Sequence, residues 1–138
     1  MPVAVGLDAA GAALLAERLL ASGTSLQEVW RFCVLQLLDE YERDLARSGA
    51  NVAAQRFADE PSRTSHDEVD AALAGLAEHL ARKDGWQVPR WALDSSRYAR
   101  RWWFVTPLRG MHATALQQSP SSFRTRGVFI TSDALSRV

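Results

Sequence analysis

His66, His79 and His112 are the three imidazoles of this chain and Cys33 is its only thiol, so the inventory for metal or thiol chemistry is short. No HxxxH or ExxH spacing joins the histidines, and a zinc-type site needs three or four convergent ligands. His79 follows Glu78, but adjacent residues of a helix diverge by about 100° and do not share a ligand position. Cys33 falls in an apolar helical pattern, where a thiol is ordinarily a buried and inert hydrophobe. The serines at 95–96 and 119–122 have no GxSxG elbow around them and read as helix caps. There is no GxGxxG and no GxxxxGK[ST] to cradle a phosphate. The acidic pairs Asp39-Glu40 and Asp59-Glu60 read as solvated surface. This inventory points away from an enzyme, with no catalytic residue, metal ligand or cofactor to assign.

What remains is SSRYARRWWFVTP, residues 95–107, which holds three arginines, a tyrosine, two tryptophans and a phenylalanine. Arginine and tryptophan dominate the energetic centres of protein interfaces, which makes Arg97, Arg100, Arg101 and Trp102 candidate partner contacts. Arg124 and Arg126, downstream, join them on the same grounds. Single-strand nucleic-acid binders also interleave rings and cations, because bases stack while arginines hold the phosphates. A third reading makes Trp86, Trp91, Trp103 and Phe104 core, with the arginines stacked on ring edges or paired with acidic surface.

Charge distribution sharpens the choice. Residues 1–85 carry 14 Asp+Glu against 8 Lys+Arg, a balance of −6, and residues 86–138 carry 2 against 8, a balance of +6. Either the two halves neutralise each other within the fold, or the basic half awaits an anionic partner. One cysteine permits no internal disulfide and gives no sign of an oxidising compartment. The apolar N-terminus lacks a basic n-region and is interrupted by Asp8, Glu17 and Arg18, so it reads as a helix and not a targeting segment. No membrane-length apolar window occurs, and a cytoplasmic location is the expectation.

The elements that would position these residues are helical. A first helix is expected from an Asp8 N-cap to about Ala21, with Leu7, Leu14, Leu15 and Leu19 facing the core. Ser25 and Glu28 form a capping-box pattern that opens a long helix to about Arg47. Its apolar stripe is Leu26, Val29, Trp30, Cys33, Leu37, Tyr41 and Leu45, and its polar face is Glu28, Asp39, Glu40, Glu42, Arg43 and Asp44. A short helix follows around Asn51 to Phe57, then a linker over 58–68. A second capping box, Ser65 with Glu68, leads into Val69, Leu73, Leu76 and Leu80 at helical spacing, closed at Gly85. Thr106-Pro107 and Ser119-Pro120 predict short helices over about 107–117 and 120–126, and Val128-Phe129-Ile130 is a brief extended run. The fold class is all-α: one irregular helical bundle spanning 1–138, with two long helices in the acidic half and several short ones in the basic half. Residues 14–32 have the outline of a helix-turn-helix, but the second helix runs far beyond a recognition helix and its polar face is acidic. An αα-hairpin is the simpler reading.

Residues 61–138 also resemble a family pattern. The runs PSRTSHDEVDAALAGLAEHLARKDGWQVPRW, RWWFV and ALQQSPSSFRTRGVFITSDALSRV are similar to a small actinobacterial helical module. That module accompanies xeno-type regulators in some proteins and antitoxin-like partners of nucleotidyltransferase-like toxins in others. The resemblance implies a non-catalytic module that binds or neutralises a co-encoded, toxin-like protein. Two other expectations stand beside it: a nucleic-acid-binding regulator using the basic half, and an oligomeric scaffold or enzyme subunit built on the Leu26–Leu45 stripe.

Overall fold

The computed structural model describes residues 6–106 and 108–135. Helix α1 spans Ala9–Ala21, and the Asp8 carboxylate caps it by accepting from the Gly11 N–H at 2.7 Å. Its buried face is not the leucine row. Ala9, Ala12, Ala13 and Ala16 lie against the core, while Leu14 is 60% exposed and Leu7, Leu15 and Leu19 sit at the margin. Small side chains at steps of three and four let the α1 backbone approach its neighbours closely, an option that counting large apolar residues overlooks.

Leu26–Val29, Trp30–Leu35 and Gln36–Ser48 run on as one long helix, α2, whose middle section is π-helical. With more residues per turn than an α-helix, this section brings Val34 and Leu38 inside beside Val29, Cys33, Leu37 and Tyr41. Most of the expected stripe, Val29, Trp30, Cys33, Leu37 and Tyr41, is therefore interior, and Leu26 and Leu45 are partly buried at its ends. At the N-cap, Ser25 Oγ accepts from the Glu28 N–H at 3.2 Å. Of the expected polar face, Glu40 is interior and Asp44 is partly buried. Glu40 is buried and receives the Leu7 N–H and Arg43, and Asp44 binds Arg56 Nε at 2.5 Å. Arg56 is itself buried on α3 and the turn after it (Ala50–Ala54, then Gln55–Phe57), which explains why acids are needed opposite.

Helix α4, Asp67–Asp84, is the axis of the molecule. Val69, Leu73, Leu76 and Leu80 are buried as the spacing predicts, and so are Ala71, Ala72, Ala74, Gly75, Ala77 and Ala81, which means the helix is enclosed almost all round. Its N-cap is His66, and Ser65 turns instead to Glu17 on α1, with both its N–H and its Oγ 2.8 Å from Oε1. Gly85 ends the helix in the left-handed conformation, φ 80°. Gly75 is fixed for a different reason: a Cβ there would stand 3.0 Å from Phe123 Cδ1 and 3.2 Å from the Ser122 carbonyl.

The basic half wraps this axis with short pieces: a 3-10 turn at Arg90–Leu93, a turn at Arg109–Met111 leading into α5 (His112–Gln118), and α6 (Ser121–Arg124). These helices are shorter and start later than expected; Leu108 N–H donates to Thr106 Oγ1 at 3.3 Å, and Pro107 lies outside the described residues. The extended run is also more than an isolated segment. β1 (Trp103–Phe104) pairs in parallel with β2 (Val128–Phe129), Trp103 opposite Val128 and Phe104 opposite Phe129. The all-α class holds, since this two-residue pairing is the one sheet among the described residues. Trp103 closes on Trp30 of α2 edge to face at 5.8 Å, and Trp91 Nε1 donates to Phe57 O at 2.9 Å. One core cluster draws on both halves of the chain. Among the described residues no helix is long and apolar enough to cross a membrane.

Candidate docking surface

The six arginine and tryptophan positions singled out by sequence divide into two groups. Arg97 and Arg126 are interior, at 0% and 6% exposure, and a partner resting on this fold does not reach them. Their inclusion as contacts is corrected by that burial.

Arg126 is a structural hub. Its Nη1 donates to Glu78 Oε1 at 2.6 Å and to the Ser122 carbonyl at 2.7 Å, and its Nη2 donates to the Ala92 carbonyl at 2.7 Å. One guanidinium thus ties α4, α6 and the Arg90–Leu93 turn together, using the planar fork that lysine lacks. Partial burial works to raise the Glu78 carboxyl, but the hydrogen bonds and charges of Arg126 and Arg82 outweigh it and hold the group below its ordinary value. Arg97 is less well served. Nη2 donates to the Pro61 carbonyl at 2.7 Å and approaches Glu60 at 3.3 Å, and the guanidinium lies 5.2 Å from the Trp91 ring centroid. Its Nε and Nη1 are buried with no hydrogen-bond partner among the described residues. Burial, with Arg63 nearby, depresses its pKa.

The second group faces outward. The Arg100 side chain is 94% exposed and stands 3.6 Å from Asp67, a contact of little energetic weight in water. Arg101 is exposed beside it, and Arg124 is exposed while donating to the Ser119 carbonyl at 2.7 Å. Trp102 is 66% exposed. Its ring rests on Phe129 at 5.0 Å, Phe129 stacks on Phe104 at 5.1 Å, and Phe104 stacks on His112 at 4.1 Å and 13°. The four rings run in a row along the β1–β2 pair, from partly buried His112 and Phe104 through buried Phe129 to Trp102 at the exposed end. Strand alternation explains it: Trp103 and Val105 point inward, so Trp102 and Phe104 point out. Sequence reasoning placed Phe104 in the core, and met His112 only as a metal-ligand candidate and Phe129 only as part of the extended run. The WWFV alternation, with Phe104 and Phe129 in register, is the signal that would have found them.

The remaining titratable groups assemble no comparable feature. Among the described residues no three His, Cys, Asp or Glu side chains are placed to hold a metal ion. Burial pushes the Cys33 thiol up to about 11, and burial depresses His79, which packs near Phe123. A polar cavity of about 540 Å³ lies at the start of α4, between Arg63, His66 and Asp67 on one side and Ser96, Tyr98 and Arg100 on the other. Asp70 lines it too; burial raises its carboxyl against the opposing pull of its hydrogen bonds from Thr64. Both charge signs line this space, which selects for no one ligand.

No family model, curated protein or solved structure matches this chain.

Proposed function

We propose that this chain is a non-catalytic protein-binding module, antitoxin-like, that engages a co-encoded partner protein in the cytoplasm through the corner formed by Arg100, Arg101 and Trp102, with Arg124 at its margin. The observation that carries this reading is the exposure of Trp102 on a rigid support. A tryptophan with its ring held on Phe129 and its other face open has little rotamer freedom left to lose on binding. Arg100 and Arg101 precede it in sequence, and tryptophan and arginine are among the residue types most enriched at interface centres. The acidic and basic halves pair at Arg126–Glu78, at Arg97–Glu60 and, in the open, at Arg100–Asp67, and Arg101 and Arg124 remain exposed beyond those pairs.

The test is a double substitution, Arg100→Ala with Arg101→Ala, measured against the partner recovered from the native host. The complex is expected to weaken while helicity and melting cooperativity are retained, because both side chains are outside the core. Loss of cooperative melting with partner affinity intact would make the arginines structural and end the proposal.

A second reading, nucleic-acid binding, is favoured by one observation: no acid occurs between Asp94 and Asp133, and Arg100, Arg101, Arg109 and Arg124 of that stretch are exposed. It predicts affinity for DNA or RNA that falls steeply with salt as counterions are released. A salt titration without that dependence removes it.

A further inference from the structure

The outer edge of β1 carries backbone polar groups that the fold does not use. In the parallel pair, Trp103 N–H donates to Gly127 O at 2.8 Å and Val105 N–H donates to Phe129 O at 3.1 Å. Successive residues of a strand aim their polar groups to opposite sides, so the N–H and C=O of Phe104 face away from β2. Neither has a protein partner among the described residues. On the other side of the pair, just past β2, Ser119 Oγ accepts the Ile130 N–H at 2.8 Å and donates to the Ile130 carbonyl at 3.1 Å. Proteins ordinarily cover or blunt an edge strand, because its unpaired groups are a template for another chain. Just past β1, Val105 lines a shallow groove of about 300 Å³ with Gln27, Glu28, Trp30 and Arg31 of the start of α2.

Charge selects what this edge fits. Arg100 and Arg101 precede β1, Arg109 follows it, and all three are exposed. Glu28 is the one acid lining the groove, with Arg31 beside it. We propose that the β1 edge accepts an extended acidic segment of a protein partner as an added strand, pairing its main chain with Phe104 and its carboxylates with Arg100, Arg101 and Arg109. This rests on the docking role assigned above to the same face. Strand addition divides the work in a characteristic way: main-chain bonds fix register, and alternate side chains give specificity. The edge offers one N–H and one C=O at Phe104, so the ring of Trp102 and the arginines supply most of the affinity.

The experiment uses the full chain and a terminally blocked heptapeptide of alternating glutamate and valine, followed by amide hydrogen exchange and titration calorimetry. In the free protein the Phe104 amide exchanges faster than those of Trp103 and Val105. The peptide is expected to slow Phe104 exchange by about tenfold or more. Only every second peptide amide faces the edge, so N-methylating the valines or the glutamates weakens binding about tenfold in one case and little in the other. A lysine-valine counterpart binds weakly or not at all. If the acidic peptide binds equally in both methylated forms and leaves Phe104 unprotected, strand addition is overturned while docking on this face survives. If oligothymidylate binds and the peptide does not, strand addition is overturned in favour of nucleic acid. If neither binds, strand addition is overturned, and the docking role then stands or falls on the Arg100→Ala, Arg101→Ala complex.

Discussion

Replacing Arg126 with methionine should be among the most destabilising single changes in this chain. Methionine preserves the aliphatic stem and removes three hydrogen bonds, to Glu78, Ser122 O and Ala92 O. Glu78 keeps only Arg82, whose side chain is exposed, and two carbonyls lose a donor in the interior. Breaking a buried ion pair by removing one partner costs about 3–5 kcal/mol. The retained Arg82 contact argues for the lower end, and the orphaned carbonyls add on the order of 1 kcal/mol. A loss of about 3–4 kcal/mol is a large fraction of the roughly 5–15 kcal/mol that holds a domain together. Urea unfolding followed by circular dichroism measures it as a shift of midpoint at constant slope. The pH dependence gives a second readout with a defined sign. Glu78 is held below its ordinary value in the fold, so its contribution is present above the unfolded pKa and is lost as pH falls through the folded one. In the Arg126→Met protein that acid-side loss should shrink. A midpoint change worth less than about 1 kcal/mol, with the acid limb unaltered, would refute the hub role.

Arg97→Met should behave quite differently, costing less than about 1 kcal/mol in the same assay, since Arg97 already leaves Nε and Nη1 unbonded in the interior. Gly75→Ala should destabilise by about 1–3 kcal/mol despite alanine's higher helix propensity, because the added methyl meets Phe123 and the Ser122 carbonyl; a stabilised variant would mean that α6 yields easily. Leu14→Gln on α1 should leave the midpoint within about 0.5 kcal/mol. Cys33 should resist a thiol reagent under native conditions and react in urea, with its buried thiol raised to about 11.

Much of the fold is legible in the residues, and the gaps have identifiable causes. The Asp8 cap, the stripe of α2, the core row of α4 and the Gly85 stop follow from local rules, and each is where those rules put it. The alanine face of α1 escaped because close packing of small residues carries little weight in hydrophobic spacing. Asp44 reads as solvent-facing until Arg56 is brought against it, and Glu40 until the chain at Leu7 folds back onto it. The same limitation governs the candidate surface. Nothing local distinguishes Arg97 from Arg100, yet one is enclosed by Pro61, Glu60 and Trp91 and the other stands in water. Their separation depends on the path of the 58–66 linker, a tertiary matter. The β1–β2 pairing is also non-local, and it alone explains why Trp103 is core while Trp102 lies outside it.

The docking claim is tested most directly by equilibrium binding of the purified partner protein to the wild-type chain and to Trp102→Ala, measured by titration calorimetry with unfolding midpoints recorded in parallel. A largely exposed ring contributes little to folding, so the midpoint should stay nearly constant. Affinity should fall by about 30-fold or more, the scale of an interface centre worth roughly 2 kcal/mol. Unchanged affinity in a stably folded Trp102→Ala protein would contradict the account.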